Sequence, residues 1–372
     1  MVRGPGEQAR PDGQESRQDG VCHDRPVAWA LYAVGWSIGW LLLWSNRRLP
    51  VSATAERASL AIIVPARDEA AALPLSLGAL VPQLGPDDEL VVVDDGSSDD
   101  SAAVARAAGA RVVAAPPLPA GWVGKPHACA TGAAATTAGA LVFVDAHVRP
   151  GPHLLDGLAT ALASAPDAVV SVQPWHDAAR PGERLTALAN VVSLMGSGGF
   201  TVLGPLVVPH VAFGPVLALR RHVYERIGGH GRCDVRASLT EDIAIGRAVG
   251  TTRLFSDHHD ATFRMYPRGF REAFAGWSRT MAAGVAATRW WLLVGVAAWI
   301  TSLAGGPFAG WLAYPLSALQ VWVLGRRAGR VGPLLAAIYP VLVVVLVGVV
   351  GRAGWLRLRG TTTWKGRVVR SA

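Results

Sequence analysis

Glu89-Leu-Val-Val-Val-Asp94-Asp95-Gly96-Ser97 sets four apolar residues between a carboxylate and a polar turn. The apolar run is continuous rather than alternating, which marks a strand buried on both faces, as in a parallel sheet covered by helices. Similar short runs occur at Leu60–Pro65, Ala110–Val113, Ala140–Asp145, Ala168–Gln173 and Val216–Leu219. Alanine-rich stretches such as Ser98–Ala108 separate them and read as crossover helices. Residues 58–260 are therefore expected to form an α/β domain with a mostly parallel sheet.

The flanks differ in kind. Of the 372 residues, 51% are hydrophobic and only 17% charged, against about 25% charged in soluble domains. The deficit is local. Residues 1–25 are polar and read as a disordered tail. Residues 26–45 are uncharged from Val27 to Trp44 and closed by Asn46-Arg47-Arg48, the pattern of a transmembrane anchor. A cleaved signal peptide fits less well, because the polar leader is long and no small-x-small site follows. Residues 261–289 mix aromatics with arginines and read as interfacial. Residues 290–350 hold about three apolar segments: Trp290–Leu324, interrupted at Gly305-Gly306-Pro307 and read as a hairpin, then Val331–Val350. Residues 351–372 form a basic tail. Thr186–Leu219 carries no charge and many glycines and prolines, and reads as a buried strand–loop unit or an apolar floor for a lipid.

The net charge is +8. The arginines cluster beside apolar segments and are not interleaved with aromatics in one patch, so the partner they imply is a membrane surface and not nucleic acid. The clusters at Arg47/Arg48 and at Arg326/Arg327/Arg330 put the α/β domain on the cytoplasmic side, with a multi-pass chain in the cell membrane. Three scattered cysteines have no metal spacing and fit a reducing compartment.

In open α/β sheets ligands gather at the carboxyl ends of strands. Asp94 and Asp95 end one strand and can accept hydrogen bonds from a base or a ribose; an Asx turn would use the same residues. Asp145-Ala146-His147 ends another, and a carboxylate and an imidazole two residues apart can hold Mg²⁺ or Mn²⁺ against a diphosphate. Glu241-Asp242 opens a helix that Ser238 or Thr240 can cap. The helix dipole favours an ionised carboxylate there, as a general base requires. Gly121-Trp-Val-Gly-Lys125-Pro reads as a loop whose lysine can meet a phosphate. Arg264, Trp277 and Arg279 suit either the interface or the donor phosphates.

The order of these motifs resembles family 2 glycosyltransferases. It runs from Val64-Pro65-Ala66-Arg67-Asp68-Glu69 through Val93–Ser97, Asp145–His147 and Gly228-Gly229-His230 to Thr240–Asp242. The resemblance implies a nucleotide-sugar-binding domain of the GT-A type. It also implies donor contacts at Pro65, Ala66, Arg67, Glu69, Asp94 and Asp95, a metal at Asp145, and an inverting transfer with Asp242 as base beside Glu241. Gly121–Pro126 and the Arg264…Arg279 segment look like the carotenoid-modifying branch, which includes diaponeurosporenoate and hydroxychlorobactene glycosyltransferases. That implies a UDP-sugar donor and a lipid or terpenoid acceptor. Trp364-Lys365-Gly366-Arg367 resembles a cytoplasmic tail of membrane relatives. His147 stands where the family usually has a second carboxylate, and the Gln-x-x-Arg-Trp signature of processive synthases is missing, which points to single transfer. A polyprenyl-phosphate or other envelope glycolipid transferase uses the same parts, and a catalytically inactive membrane scaffold is the reading from another class.

Overall fold

The structure is a computed structural model that describes residues 19–50, 57–207, 209, 211–359, 361–364 and 367–370. The first eighteen residues of the polar tail lie outside the described residues, as do Lys365 and Gly366 of the C-terminal motif.

Ten strands build two sheets in the α/β domain. They are β1 (Leu60–Ala66), β2 (Glu89–Asp94), β3 (Arg111–Ala114), β4 (Ala140–Val144), β5 (Val148–Pro150), β6 (Val169–Val172), β7 (Trp175–His176), β8 (Val216–Arg220), β9 (Thr252–Phe255) and β10 (Ala261–Phe263). The large sheet has the order β3-β2-β1-β4-β8-β6-β9. Strand β1 shows why the runs are continuously apolar. Leu60, Ile62 and Val64 face one core with Leu73, Leu77, Leu154 and Leu158. Ala61 and Ile63 face another with Ala128, Cys129 and Ala133. With a period of two, both faces of the strand are buried.

The sheet is mostly parallel, as expected, but β8 runs antiparallel between β4 and β6. This reversal sets Val216 beside Val144, and Pro215 O accepts the Asp145 N–H at 2.9 Å. The segment entering β8 is thereby laid against the carboxyl end of β4. The small sheet, β5-β10-β7, extends the same end.

The uncharged stretch after Thr186 is not a strand–loop unit at its start. Ala187–Ser197 is a helix, closed by Gly198 at a left-handed φ of 73°. Leu188, Val191, Leu194 and Met195 are buried against the C-terminal helices, which cover the apolar face of this one.

The helices Trp290–Ala309 (20 residues) and Tyr339–Arg359 (21 residues) are long and apolar enough to cross a membrane. The N-terminal helix runs Asp19–Leu42, and its apolar part Pro26–Leu42 is shorter. Between them lies Ala313–Ala328. Gly305-Gly306-Pro307 does not break the first of these helices, which continues to Ala309 and turns at Gly310. Gly306 serves packing instead: a Cβ there would meet Ser317 Oγ and Tyr339 Oη at 2.9 Å. Gly39 likewise lies on the Trp299 ring. Small residues let helix backbones approach closely. The last long helix carries Arg352, Arg357 and Arg359, and the strands Thr361–Trp364 and Arg367–Arg370 pair beyond it.

Candidate active site

The carboxyl ends of β1, β2 and β4 and the start of the Glu241–Val249 helix carry the polar residues. The loops after β1 and β2 are tied together. Asp68, with a left-handed φ of 53°, accepts the Ser98 N–H at 2.8 Å, and its own N–H donates to Ser97 Oγ at 3.1 Å. The Glu69 N–H donates to Ser101 Oγ at 2.8 Å. Asp94 Oδ1 accepts the Ser97 N–H three residues on, so this carboxylate folds over its own turn, one residue wider than an Asx turn. Asp95 lies 3.8 Å from the Arg67 guanidinium. Pro65 and Ala66 are paired to Val93 and Asp94 in β2. Pro65, Ala66, Arg67, Glu69, Asp94 and Asp95 thus share one rim, at the ends of adjacent parallel strands.

Lys125 is not a loop lysine. It stands in the first turn of the Gly124–Ala134 helix, where the dipole disfavours a cation. Carboxylates reverse that: Lys125 Nζ lies 2.7 Å from Asp145 Oδ1 and 2.8 Å from Glu241 Oε1. Burial works against the ammonium, yet Asp145 and Glu241 together outweigh it and hold its pKa well above the ordinary lysine value. The Val123 N–H donates to Arg236 O at 2.8 Å, which ties the start of the Lys125 helix to the segment leading into Glu241.

Asp242 completes the group. Its Oδ2 and Lys125 Nζ crowd Gly214, where a Cβ would lie 3.0 Å and 3.2 Å from them. Burial, and then the negative charge of Glu241, raise the Asp242 pKa to about 7, partly offset by Lys125. Neither Ser238 nor Thr240 caps this helix with its side chain; Ser238 Oγ instead accepts the Thr240 N–H at 3.0 Å. The first turn therefore keeps backbone N–H groups beside the carboxylates.

His147 Nε2 lies 4.0 Å from Asp145 Oδ2, is buried, and makes no hydrogen bond. The His147 ring stacks on Phe263 of β10. An orphaned imidazole nitrogen facing a carboxylate oxygen fits a divalent cation that accepts both nitrogen and oxygen. His176 and His230 nearby are neutral. Burial lowers them to about 4 and about 3 respectively, and Lys125 adds to the effect on His230. His230 instead holds Tyr224 Oη at 3.0 Å and packs edge-on to Phe143.

Three predicted residues lie apart from this cluster. Arg264 forms a two-point pair with the buried Glu183, at 3.1 and 2.5 Å, so its guanidinium is engaged within the fold rather than held out for phosphates. Trp277 is 2% exposed and belongs to the helical core, against His176 and Tyr266. Arg279 is half-buried on the same helix. Sequence reasoning missed Gly214, whose carbonyl accepts from Lys125 at 3.4 Å. Its only signal was a Gly-Pro pair placed directly before an apolar run.

A GT-A-like α/β domain with carboxylates grouped at the strand ends defines a glycosyltransferase. The model of the family described as "Glycosyl transferase family 2" matches residues 61–228, and the chain belongs to that family. Among its relatives is a 4,4'-diaponeurosporenoate glycosyltransferase of Staphylococcus haemolyticus (strain JCSC1435). It is 30% identical over 259 residues, which are 66% of this chain and 68% of that protein. The protein of the same name from Staphylococcus aureus (strain MRSA252) is 28% identical over 337 residues, 83% of this chain and 88% of its own. In fold the chain is similar to a mannosyltransferase from Pyrobaculum calidifontis, solved in complex with GDP-mannose and Mn²⁺. The TM-score is 0.54, over 89% of this chain and 99% of that one, at 18% identity.

Proposed function

We propose that this enzyme is a membrane-embedded, inverting glycosyltransferase. It moves a sugar from a nucleoside-diphosphate donor, a UDP-sugar, onto a terpenoid acceptor of the carotenoid kind at the cytoplasmic membrane face. One observation carries the chemistry: Lys125 joins Asp145 at the end of β4 to Glu241 at the start of the helix that bears Asp242. Donor and acceptor groups thus share one compact centre. The acceptor class rests on the two staphylococcal relatives, and the membrane setting on the two long apolar helices.

The rim of Pro65, Ala66, Arg67, Glu69, Asp94 and Asp95 takes the nucleoside. Asp145 and His147 would hold a divalent metal, Mg²⁺ or Mn²⁺, which when bound supplies charge neutralisation at the diphosphate. For an alcohol acceptor, Asp242 accepts the hydroxyl proton as the new C–O bond forms and the bond to the diphosphate breaks; a carotenoid acid is already ionised near neutrality and attacks without losing a proton. With a pKa of about 7 it is a usable base near neutrality. Lys125 bridges Glu241 and Asp145 beside it and limits how far burial and Glu241 raise Asp242.

The test is transfer by the detergent-solubilised full chain, with UDP- and GDP-sugars, Mg²⁺ or Mn²⁺, and carotenoid acids and alcohols beside polyprenyl phosphate. Metal-dependent transfer to the terpenoid is expected. Transfer to polyprenyl phosphate alone would overturn the acceptor, and no donor consumption under any condition would overturn the enzyme.

A further inference from the structure

A cavity of about 410 Å³ lies where the helical part meets the α/β domain, lined by Asn46, Trp175, Asp257, His258, Trp322, Val323, Arg326 and Arg327. None of these residues belongs to the catalytic cluster. Trp175 neighbours His176 in β7, and as successive strand residues their side chains point to opposite faces. His176 turns to Phe263 and Trp277, whereas Trp175 turns to His258 and donates its Nε1–H to Arg326 O at 2.9 Å.

The charges in this cavity are unevenly matched. Asp257 is engaged by its own surroundings: Oδ1 lies 3.4 Å from Arg48 and 3.5 Å from His258, and accepts the His259 N–H at 2.9 Å. Arg326 lies over the Trp322 ring at 5.5 Å, and Arg327 donates to the carbonyls of Leu43 and Trp44. Among the described residues no carboxylate pairs with either guanidinium. Arg326, Arg327 and Trp322 close the last turns of one helix and Trp175 faces them from β7, and arginines beside tryptophans are the composition of a membrane interface.

The Ala313–Ala328 helix adds a direction. Ala313, Ser317, Gln320, Val321 and Leu324 are buried on one side. Leu316 and Leu319 are exposed on the other, and at spacings of three and four they share a face with Val323 and Arg326. An apolar stripe therefore leads along the helix to a cationic, aromatic mouth.

We infer that this cavity binds the headgroup phosphate of an anionic phospholipid, between Arg326 and Arg327, with its acyl chains along Val323, Leu319 and Leu316. The inference rests on the membrane setting proposed above. It gives the enzyme a lipid site separate from the donor and acceptor centre, one that fixes the α/β domain at headgroup level.

The experiment is native mass spectrometry of the detergent-purified full chain, titrated with phosphatidylglycerol, phosphatidylcholine or inorganic phosphate. The wild type should retain phosphatidylglycerol more tightly than phosphatidylcholine. Arg326→Ala should weaken phosphatidylglycerol about fivefold, Arg326→Lys should restore most of that loss, and donor consumption and melting temperature should not move. Equal retention of both lipids, an Arg326→Ala variant that binds as the wild type does, or displacement of phosphatidylglycerol by inorganic phosphate would each overturn the lipid site. Release of the wild-type chain from membranes by an alkaline wash would overturn the membrane reading itself, a result recognisable apart from the lipid preference.

Discussion

The Lys125 ammonium sits 2.7 Å from the Asp145 carboxylate and bridges it to Glu241. Removing the lysine leaves Asp145, Glu241 and Asp242 facing each other with no cation between them. Lys125→Met should lower the melting temperature, with a loss of about 2 kcal/mol, below the usual cost of a broken buried pair because the lysine is partly exposed. It should also raise the Asp242 pKa further, since the offsetting charge is gone. Thermal unfolding with and without Mn²⁺ checks this: the metal should recover part of the lost stability.

Asp242 should control the rate and its pH dependence. Asp242→Asn should lower kcat on an alcohol acceptor about 10²–10⁴-fold, the usual worth of a general base, with little change in nucleotide-sugar affinity. In the wild type, transfer should rise with pH through about 7 as Asp242 loses its proton. The sign for stability is opposite. The folded-state pKa lies above the usual carboxylate value, so stability falls as pH rises from about 4 to 7. The asparagine variant should therefore melt higher than the wild type at pH 8 while turning over far less.

His147 has a ring nitrogen without a partner and is set toward Asp145. His147→Ala should weaken the metal requirement's apparent affinity about tenfold, whereas His147→Asp should move the preference from Mn²⁺ toward Mg²⁺. Metal titrations of donor consumption would show both. An unchanged preference in the aspartate variant would make His147 a bystander.

Arg264 should behave as a structural residue. Glu183 is buried and depends on it, so Arg264→Met should cost about 3 kcal/mol. The double variant Arg264→Met/Glu183→Gln should recover part of that loss. UDP-sugar affinity should not change in either. Melting temperature and donor titration separate this pair from a phosphate contact.

What was legible in the sequence, and what was not, follows from range. The strands ending at Asp94 and Asp145 could be read because burial on both faces writes a continuous apolar run. The antiparallel course of β8 could not, because Val216–Leu219 is equally apolar in either direction. The rim residues follow from being last in adjacent strands. Lys125 looked like a loop residue because Gly121, Gly124 and Pro126 stand around it, although a first helical turn accepts such residues; its two carboxylates come from other segments, and only the fold brings them to it. Gly305-Gly306-Pro307 looked like a break because glycine commonly ends helices, yet Gly306 makes room for Ser317 and Tyr339.

Gly39 offers a test of the helical part on its own. A Cβ there would lie 2.3 Å from Trp299 Cδ1 and 2.4 Å from its Nε1. That nitrogen donates to Gln320 Oε1 at 3.0 Å, and Gln320 Nε2 donates to Trp36 O at 2.7 Å. Gln320 is fully buried, so moving the indole leaves its amide oxygen without a donor. Such an unsatisfied buried group costs about 1–3 kcal/mol. Gly39→Ala should therefore lower the melting temperature in detergent, whereas Gly284→Ala, with open space around its Cβ position, should not. Because no catalytic residue touches Trp299 or Gln320, the Gly39→Ala protein that remains folded should keep the wild-type pH profile; a profile shifted along with stability would show that the helices and the Lys125–Asp145–Glu241 group are coupled.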